Sequence, residues 1–146
     1  MRAEALMTVD VTCVDPGTPL SFVWTVMNEM KVRHLPVLEG EQLRGILSHR
    51  DLMLHGQPDD RGKLAFPDLT AAQVMATKLH TCTPAATVSQ VADLMVRHKV
   101  GAIPVVQPGG ELVGLVTSTD LLKLLIDPEA TEQSLPFTWA LHRRDR

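Results

Sequence analysis

The chain has 146 residues, which suits one compact domain or two small halves that share an interface. Its formal net charge of −3 favours neither nucleic acid nor an anionic membrane, and its aromatic content of 3% with no Tyr argues against base stacking. No apolar run is long enough to span a bilayer, and the N-terminus has no apolar core like that of a signal peptide. We therefore expect a cytoplasmic protein that binds neither nucleic acid nor a membrane.

The sequence shows no pattern typical of a catalytic or metal site. Cys13 and Cys82 are not in a C-x-x-C spacing, and we expect both to be reduced, apolar residues. No pair of histidines has metalloprotease spacing, and no phosphate-binding P-loop is present. Ser48 and His49 are adjacent, but neighbours at a helix start do not face each other. We predict neither an enzyme nor a required cofactor.

The strongest pattern in the sequence is an internal duplication. One offset aligns many residues of the first half with identical or similar residues of the second, apart from one extra residue in a turn of the second half. The aligned pairs include Met7 with Met75, Pro16 with Pro84, Pro36 with Pro104, Gly45 with Gly114, Ser48 with Thr117 and Asp51 with Asp120. This predicts two repeats at 3–56 and 71–126, a linker at 57–70 and a C-terminal tail at 127–146.

In the first repeat, an extended segment ending at a proline leads to a predicted helix. Apolar residues from Leu20 to Met30 recur at helical spacing, with Thr18 as a predicted N-cap and Pro19 at the first helical position. Two short strands follow, LPVL and LRGILS, separated by the turn EGEQ. A second helix is predicted to open at Ser48.

The linker is polar and contains two prolines, which is typical of a connecting segment. The second repeat then follows the order of the first. Thr87 and Gln90 fit a capping box before its first helix. The strands IPVV and ELVGLVT flank the turn QPGG, and a last helix opens at Thr117. The order strand, helix, strand, strand, helix in each repeat predicts an α+β fold of two βαββα-like units.

Each repeat places a hydroxyl residue three positions before an aspartate, in the runs GILSHRDLM and GLVTSTDLL. The local explanation is a helix capping box, in which the acid also faces the positive end of the helix dipole. The same geometry suits ligand binding, since a carboxylate there can accept hydrogen bonds from both hydroxyls of a ribose. The sequence pattern leaves both interpretations open.

These residues resemble the CBS domain, the regulatory repeat of cystathionine-β-synthase type. The resemblance rests on the Gly-x-apolar-Pro run of VGAIPVV, on the Gly-apolar-apolar-Ser/Thr-x-x-Asp run, and on the duplication of the unit. The whole chain, apart from linker and tail, looks like a tandem pair, or Bateman module. The resemblance implies two repeats packed face to face with pseudo-two-fold symmetry, and often a further association into a homodimer.

The resemblance also implies a binding site for AMP, ADP, ATP or S-adenosylmethionine in clefts between the repeats. In the family the aspartate holds the ribose hydroxyls, the Ser/Thr binds ribose or phosphate, and the segment around the proline lines the adenine pocket. Carried over by motif position, the site residues are Thr117, Asp120, Ala102, Ile103 and Pro104 in the second repeat, and Ser48, Asp51, His34, Leu35 and Pro36 in the first. The segments 8–11 and 78–81, here called the lead-in segments, complete the pockets, in a pairing that the sequence leaves open.

The two repeats differ where the family pattern has glycine. The second repeat has Gly101, which allows a close backbone approach, and the first has Arg33. This difference favours the second motif for the ribose contact. Candidate phosphate contacts are His49, Arg50, Arg97, His98 and Lys99.

The resemblance implies a stand-alone sensor without catalytic activity. Binding of the adenosyl ligand would change its conformation and so its contact with a regulated protein partner. The alternative is a ligand-free dimerisation module in which the two motifs only cap helices. In the tail, Phe137, Trp139 and Leu141 are candidates for docking on the body or on another subunit, and a frayed tail is the alternative.

Overall fold

The computed structural model describes residues 1–126, so the expected docking of Phe137, Trp139 and Leu141 lies outside the described residues. The described part is a mixed structure of helices and paired strands, which confirms the predicted α+β class. None of its helices is long and apolar enough to cross a membrane.

The first half follows the predicted order, with a short helix added at its start. Its elements are α1 (Ala3–Leu6), α2 (Leu20–Met30), β1 (His34–Glu39), β2 (Gln42–Ser48) and α3 (His49–His55). The helix α2 buries the side chains of Leu20, Val23 and Met27, which recur at helical spacing.

The second half repeats this order after a small hairpin within the linker. The hairpin consists of β3 (Gln57–Pro58) and β4 (Leu64–Ala65). The repeat itself consists of α4 (Ala71–Val74), α5 (Val88–His98), β5 (Ala102–Val106), β6 (Leu112–Thr117) and α6 (Ser118–Lys123). The linker is thus more ordered than its composition predicts, and Phe66 and Leu69 pack against the core of the first half.

Each half is built on an antiparallel hairpin, β1 with β2 and β5 with β6. An isolated bridge joins one residue from or just before each lead-in segment to the second strand of a hairpin. Thr8 pairs with Leu115 of β6, and Ala76 pairs with Ile46 of β2. The segment that follows α1 therefore joins the sheet of the second half, and the segment that follows α4 joins the sheet of the first half.

Each of the two hydrophobic cores likewise contains a residue from the other sequence repeat. Ala71, on α4, is fully buried in the core that contains Leu20, Leu35 and Leu47 of the first half. Ala3, on α1, is fully buried in the core of the second half. Hence each core is completed by the opening helix of the other sequence repeat.

Two predicted helix starts have different outcomes. The capping box of Thr87 and Gln90 is confirmed, with the Gln90 N–H donating to Thr87 Oγ1 over 3.1 Å. The prediction for α2 is wrong, because Pro19 is the N-cap and no side chain caps this helix. The Thr18 carbonyl instead accepts a hydrogen bond from Ala71 N, and Pro19 bridges to Thr70. Contacts with α4 thus replace the local cap at this helix start.

Candidate functional site

A cavity of about 330 Å³ lies between the two halves, within the usual range for small-molecule sites. Both halves contribute to its wall, so it exists only in the paired structure. The residues that line it are His34, Ile46, Ser48, Arg50, Asp51, Ala76, Lys78, Leu79, His80, Lys99, Val100, Gly101, Ala102 and Pro104.

The junction of β2 with α3 places Ser48 and Asp51 in this cavity. They form a capping box, in which Asp51 N donates to Ser48 Oγ over 3.1 Å and Ser48 N donates to Asp51 Oδ2 over 2.9 Å. Within residues 1–126 these two backbone donors are the only hydrogen-bond partners of the two side chains. The second carboxylate oxygen, Oδ1, and the Ser48 hydroxyl proton are therefore left for a ligand.

At the equivalent junction of β6 with α6, the capping box contains one additional hydrogen bond between its two side chains. Thr117 N donates to Asp120 Oδ2 over 2.8 Å, and Thr117 Oγ1 lies 3.0 Å from the same oxygen. Because the Thr117 hydroxyl proton points to Asp120, it is engaged inside the capping box. Neither residue lines the cavity around Asp51.

The bridge between Ile46 and Ala76 decides which lead-in segment faces which motif. Ile46 N and Ala76 N each donate to the other residue's carbonyl, over 3.1 and 2.9 Å. This pairing carries Lys78 and His80 to the cavity of Asp51. The lead-in segment of the second repeat therefore faces the motif of the first.

Gly101 belongs to the second repeat but lines the cavity of the first motif. A Cβ at this position would lie 3.3 Å from His34 Cε1 and 3.9 Å from Ser118 Oγ, so the His34 ring lies directly over the glycine. Arg33, the equivalent residue of the first repeat, is exposed and does not line this cavity. The preference for the second motif depends on Gly101, but the space left by this glycine lies in the cavity that Asp51 lines.

The structure separates the candidate phosphate contacts. Arg50 and Lys99 line the cavity, whereas Arg97 forms an ion pair with Asp93 at 2.9 Å on the exposed side of α5. The His49 ring packs against Trp24, with ring centroids 4.8 Å apart. The fifth candidate, His98, does not line the cavity but stacks on a residue that does, His80.

The predicted pocket residues also divide. Those brought together are His34, Ser48, Asp51, Ala102 and Pro104. Those outside this cavity are Leu35, Pro36, Ile103, Thr117 and Asp120. Leu35 and Ile103 are fully buried because they are core residues of their strands. Three further lining residues, Ile46, Ala76 and Val100, are not among the predicted ones. Ile46 lies two residues before Ser48, on the same face of β2, so strand alternation is a signal that identifies it.

Neither thiol is suited to nucleophilic chemistry. Burial raises the pKa of Cys13 and of Cys82, which keeps both protonated at neutral pH. Among residues 1–126, no three His, Cys, Asp or Glu side chains are grouped closely enough to hold a metal ion. The arrangement around Asp51 is suited to binding a small molecule.

Comparisons with known proteins find relatives of this chain both in sequence and in fold. The chain is 32% identical over 130 residues to an inosine-5'-monophosphate dehydrogenase of Korarchaeum cryptofilum, covering 89% of this chain and 25% of that protein. It thus spans about a quarter of the length of that relative. It is 30% identical to a CBS domain-containing protein of Dictyostelium discoideum, covering 84% of this chain and 90% of that protein.

Among solved structures, the cytosolic domain of the Mg²⁺ channel MgtE in complex with ATP is 27% identical, with a TM-score of 0.70. The match covers 84% of this chain and 48% of that one. The CBS domain pair of protein MJ0100, solved with 5'-methylthioadenosine and S-adenosyl-L-methionine, has a TM-score of 0.74 over 86% of this chain and 95% of that one. At 20% identity, this second likeness shows the fold alone.

The CBS domain family model matches two segments of the chain, residues 3–56 and 71–127. Together they cover most of the sequence and coincide with the two structural repeats. The resemblance found from the motifs is thereby confirmed. The chain belongs to the CBS domain family, as a tandem pair of repeats.

Proposed function

We propose that this CBS pair is a regulatory module that binds an adenine nucleotide or a related adenosyl ligand in the cavity around Asp51. One observation carries the proposal: a carboxylate oxygen and a hydroxyl proton free for a ligand meet cationic and apolar side chains in one cavity of suitable volume. The ATP complex of the 27% identical MgtE domain supports the same ligand class.

Each part of the ligand has a matching part of the wall. Asp51 Oδ1 would accept hydrogen bonds from the two ribose hydroxyls, as carboxylates do in other nucleotide sites. The Ser48 hydroxyl would donate to a ribose or phosphate oxygen. The apolar wall formed by Ile46, Val100 and Ala102 would cover the adenine.

We place the ribose contact at Asp51, although the sequence favours the motif of Thr117 and Asp120. Gly101, on which that preference depends, lines the Asp51 cavity. We propose no catalytic role and no resident cofactor. Asp51 would act as an acceptor for the ribose hydroxyls, and burial keeps the thiols of Cys13 and Cys82 protonated.

A thermal melt against AMP, ADP, ATP and S-adenosylmethionine tests the proposal. A ligand at a hundred times its dissociation constant should stabilise the protein by about 2.7 kcal/mol, which is a rise in melting temperature of roughly 5–10 °C. Asp51→Asn should lower the affinity at least tenfold, or about 1.4 kcal/mol. It removes the negative charge while the amide oxygen can still accept from Ser48 N.

Asp120→Asn is the matched control, because Asp120 has the same place in the other capping box. We expect it to leave the affinity unchanged and to cost about 1 kcal/mol of stability or less. A loss of affinity in Asp120→Asn alone would move the site to the second motif. No stabilisation by any of the four ligands would favour the alternative, in which both motifs are only helix caps.

We further propose that two copies associate through the helices. Several apolar side chains of α2, α3 and α5 are more than half exposed, and exposed apolar patches often mark association sites. These are Phe22, Met30, Met53, Leu54 and Val96. Sedimentation equilibrium should give a dimer mass, and Leu54→Glu should weaken dimerisation at least tenfold. Val9→Glu is the control, since Val9 is equally exposed but lies in the lead-in region; a monomer mass for the unmodified chain would contradict the proposal.

Signalling to a partner protein requires that the ligand favour one arrangement of the two halves over another. The cavity wall comes from both halves, so a ligand there contacts both. Hydrogen exchange with and without the ligand should show altered protection on the outer helices as well as at the cavity. A change in protection confined to the residues of the cavity would argue against signalling to a partner protein.

A further inference from the structure

The wall of the Asp51 cavity is strongly cationic. Arg50, Lys78 and Lys99 line it, and Asp51 is the one carboxylate that does so among residues 1–126. The three cations come from separate segments. Arg50 lies on α3, Lys78 lies in the lead-in segment of the second repeat, and Lys99 directly follows α5. A ligand in contact with the wall therefore meets positive charge from several directions.

Two of these three cations have no counterpart on the other side of the pseudo-two-fold pair, whereas the third, Lys99, corresponds to Lys31. The residue equivalent to Lys78 is Asp10, since each follows its sheet bridge, at Ala76 or Thr8, by two residues. The residue equivalent to Arg50 is Thr119. The duplication has thus kept the shape of the unit while the charges around its two motifs have diverged.

Two histidines add a charge that depends on pH. The His34 ring lies over Gly101 and is close enough to Asp51 to be influenced by its charge. Burial lowers the pKa of His34, and the neighbouring Arg33 lowers it further, while Asp51 partly opposes both. Arg50 is the other charged side chain of the cavity wall that comes from this half.

His80, on the opposite wall, stacks on His98 with ring centroids 3.7 Å apart and planes inclined by 13°. Partial burial lowers the pKa of His80, and the positive charges of His98 and Lys78 lower it further. Lys99 is the remaining charged side chain of this wall. Both cavity histidines are therefore mainly neutral at pH 7 when the cavity holds no ligand.

We propose that the Asp51 cavity selects its ligand by negative charge, taking adenosine phosphates and rejecting the adenosyl sulfonium, and that His34 and His80 take up protons when a phosphate enters. This inference rests on the proposed function, because it concerns the same site. A phosphate group carries a charge of about −1.5 to −2 at pH 7. S-adenosylmethionine carries a net positive charge, which three surrounding cations disfavour.

The direction of the pH dependence follows from the cavity charges. A phosphate beside the histidines favours their protonated form, so the complex binds more protons than the free protein. Affinity for the phosphate should therefore rise as the pH falls from 8.0 towards 6.5. Below about pH 6 the ligand phosphate itself becomes protonated, which limits the useful range.

Isothermal titration calorimetry with adenosine, AMP, ADP, ATP and S-adenosylmethionine tests the inference. The tightest adenosine phosphate should bind at least tenfold more tightly than adenosine or S-adenosylmethionine at pH 7.0. It should bind about threefold more tightly at pH 6.5 than at pH 8.0, with proton uptake seen as a dependence of the heat on the buffer's ionisation enthalpy. His34→Gln combined with His80→Gln should remove the pH dependence, so that the affinity at pH 6.5 falls to the affinity at pH 8.0.

Lys99→Gln should weaken the binding of the adenosine phosphate about fivefold and leave the binding of adenosine unaffected. Lys31→Gln is the matched control, because Lys31 also ends its helix in the left-handed conformation, with the same φ of 54°, and does not line the cavity. Equal affinity for S-adenosylmethionine and the phosphates, or an affinity that does not change with pH, would overturn the inference while the proposed function stands. Absence of binding by all five compounds would overturn both.

Discussion

Ala71→Arg should collapse the core of the first half, although Ala71 lies in the second sequence repeat. Its side chain is fully buried against Leu20 and Leu35, so an arginine there must bury an unpaired charge or open the core. We expect a loss of about 4 kcal/mol, a large part of the roughly 5–15 kcal/mol of a typical domain. The melting temperature should fall by roughly 10–20 °C.

Ala3→Arg should damage the other core by a similar amount, because Ala3 is equally buried there. The exposed alanines one and two positions further along their helices, Ala72 and Ala5, are the controls. Ala72→Arg and Ala5→Arg place the same charge near a helix start without burying it, and each should cost less than about 1 kcal/mol. Hydrogen exchange should locate the damage of Ala71→Arg at Val37 and that of Ala3→Arg at Val105; the reverse pattern would contradict the exchange of opening helices.

Gly101→Leu should abolish ligand binding while the protein stays folded. A Cβ at this position already lies 3.3 Å from His34 Cε1, so a leucine must displace the His34 ring and extend into the cavity. Its backbone is not in the left-handed region, so a side chain introduces no backbone strain. We expect the affinity of the tightest adenosyl ligand to fall at least a hundredfold, or about 2.7 kcal/mol, measured by calorimetry.

Arg33→Leu is the control, since Arg33 is the equivalent residue of the first repeat and does not line this cavity. Measured at pH 8.0, where burial keeps His34 mainly neutral even without Arg33, it should leave the affinity for the ligand unchanged. Both variants should melt within a few degrees of the parent chain. Undiminished binding in Gly101→Leu would show that the ligand does not occupy the cavity of Asp51.

The sequence predicts the repeats well because their elements are long or strongly patterned. The helix from Leu20 to Met30 has a regular apolar face, and Thr87 with Gln90 has the local chemistry of a capping box. The helices at 3–6 and 71–74 escape prediction because four residues are too few for a period of 3.6. The Thr18 prediction is wrong because contacts from residues 69–71, distant in sequence, fix that helix start.

Single residues of the site can be predicted from the sequence, but the way in which distant segments come together around them cannot. The motif identifies Ser48 and Asp51 from local spacing, because hydroxyl and acid must occupy fixed places in the first helical turn. No local pattern reveals that Lys78 and Asp51 line the same cavity, since that placement depends on the bridge from Ala76 to Ile46 across the sheet. Charge selection at this cavity is likewise a property of long-range pairing.

The crossed opening helices impose an order on folding during synthesis. The first core lacks Ala71 until the ribosome has passed the linker, so the first repeat emerges incomplete. The second core depends on Ala3, which is made before the rest of both repeats and must stay available until the strand that contains Val116 has emerged. Contacts between residues so far apart in sequence slow folding. A nascent chain halted at residue 70 should therefore present apolar surface to chaperones, and the emergence of β6 from the ribosome should be the step at which both halves become native together.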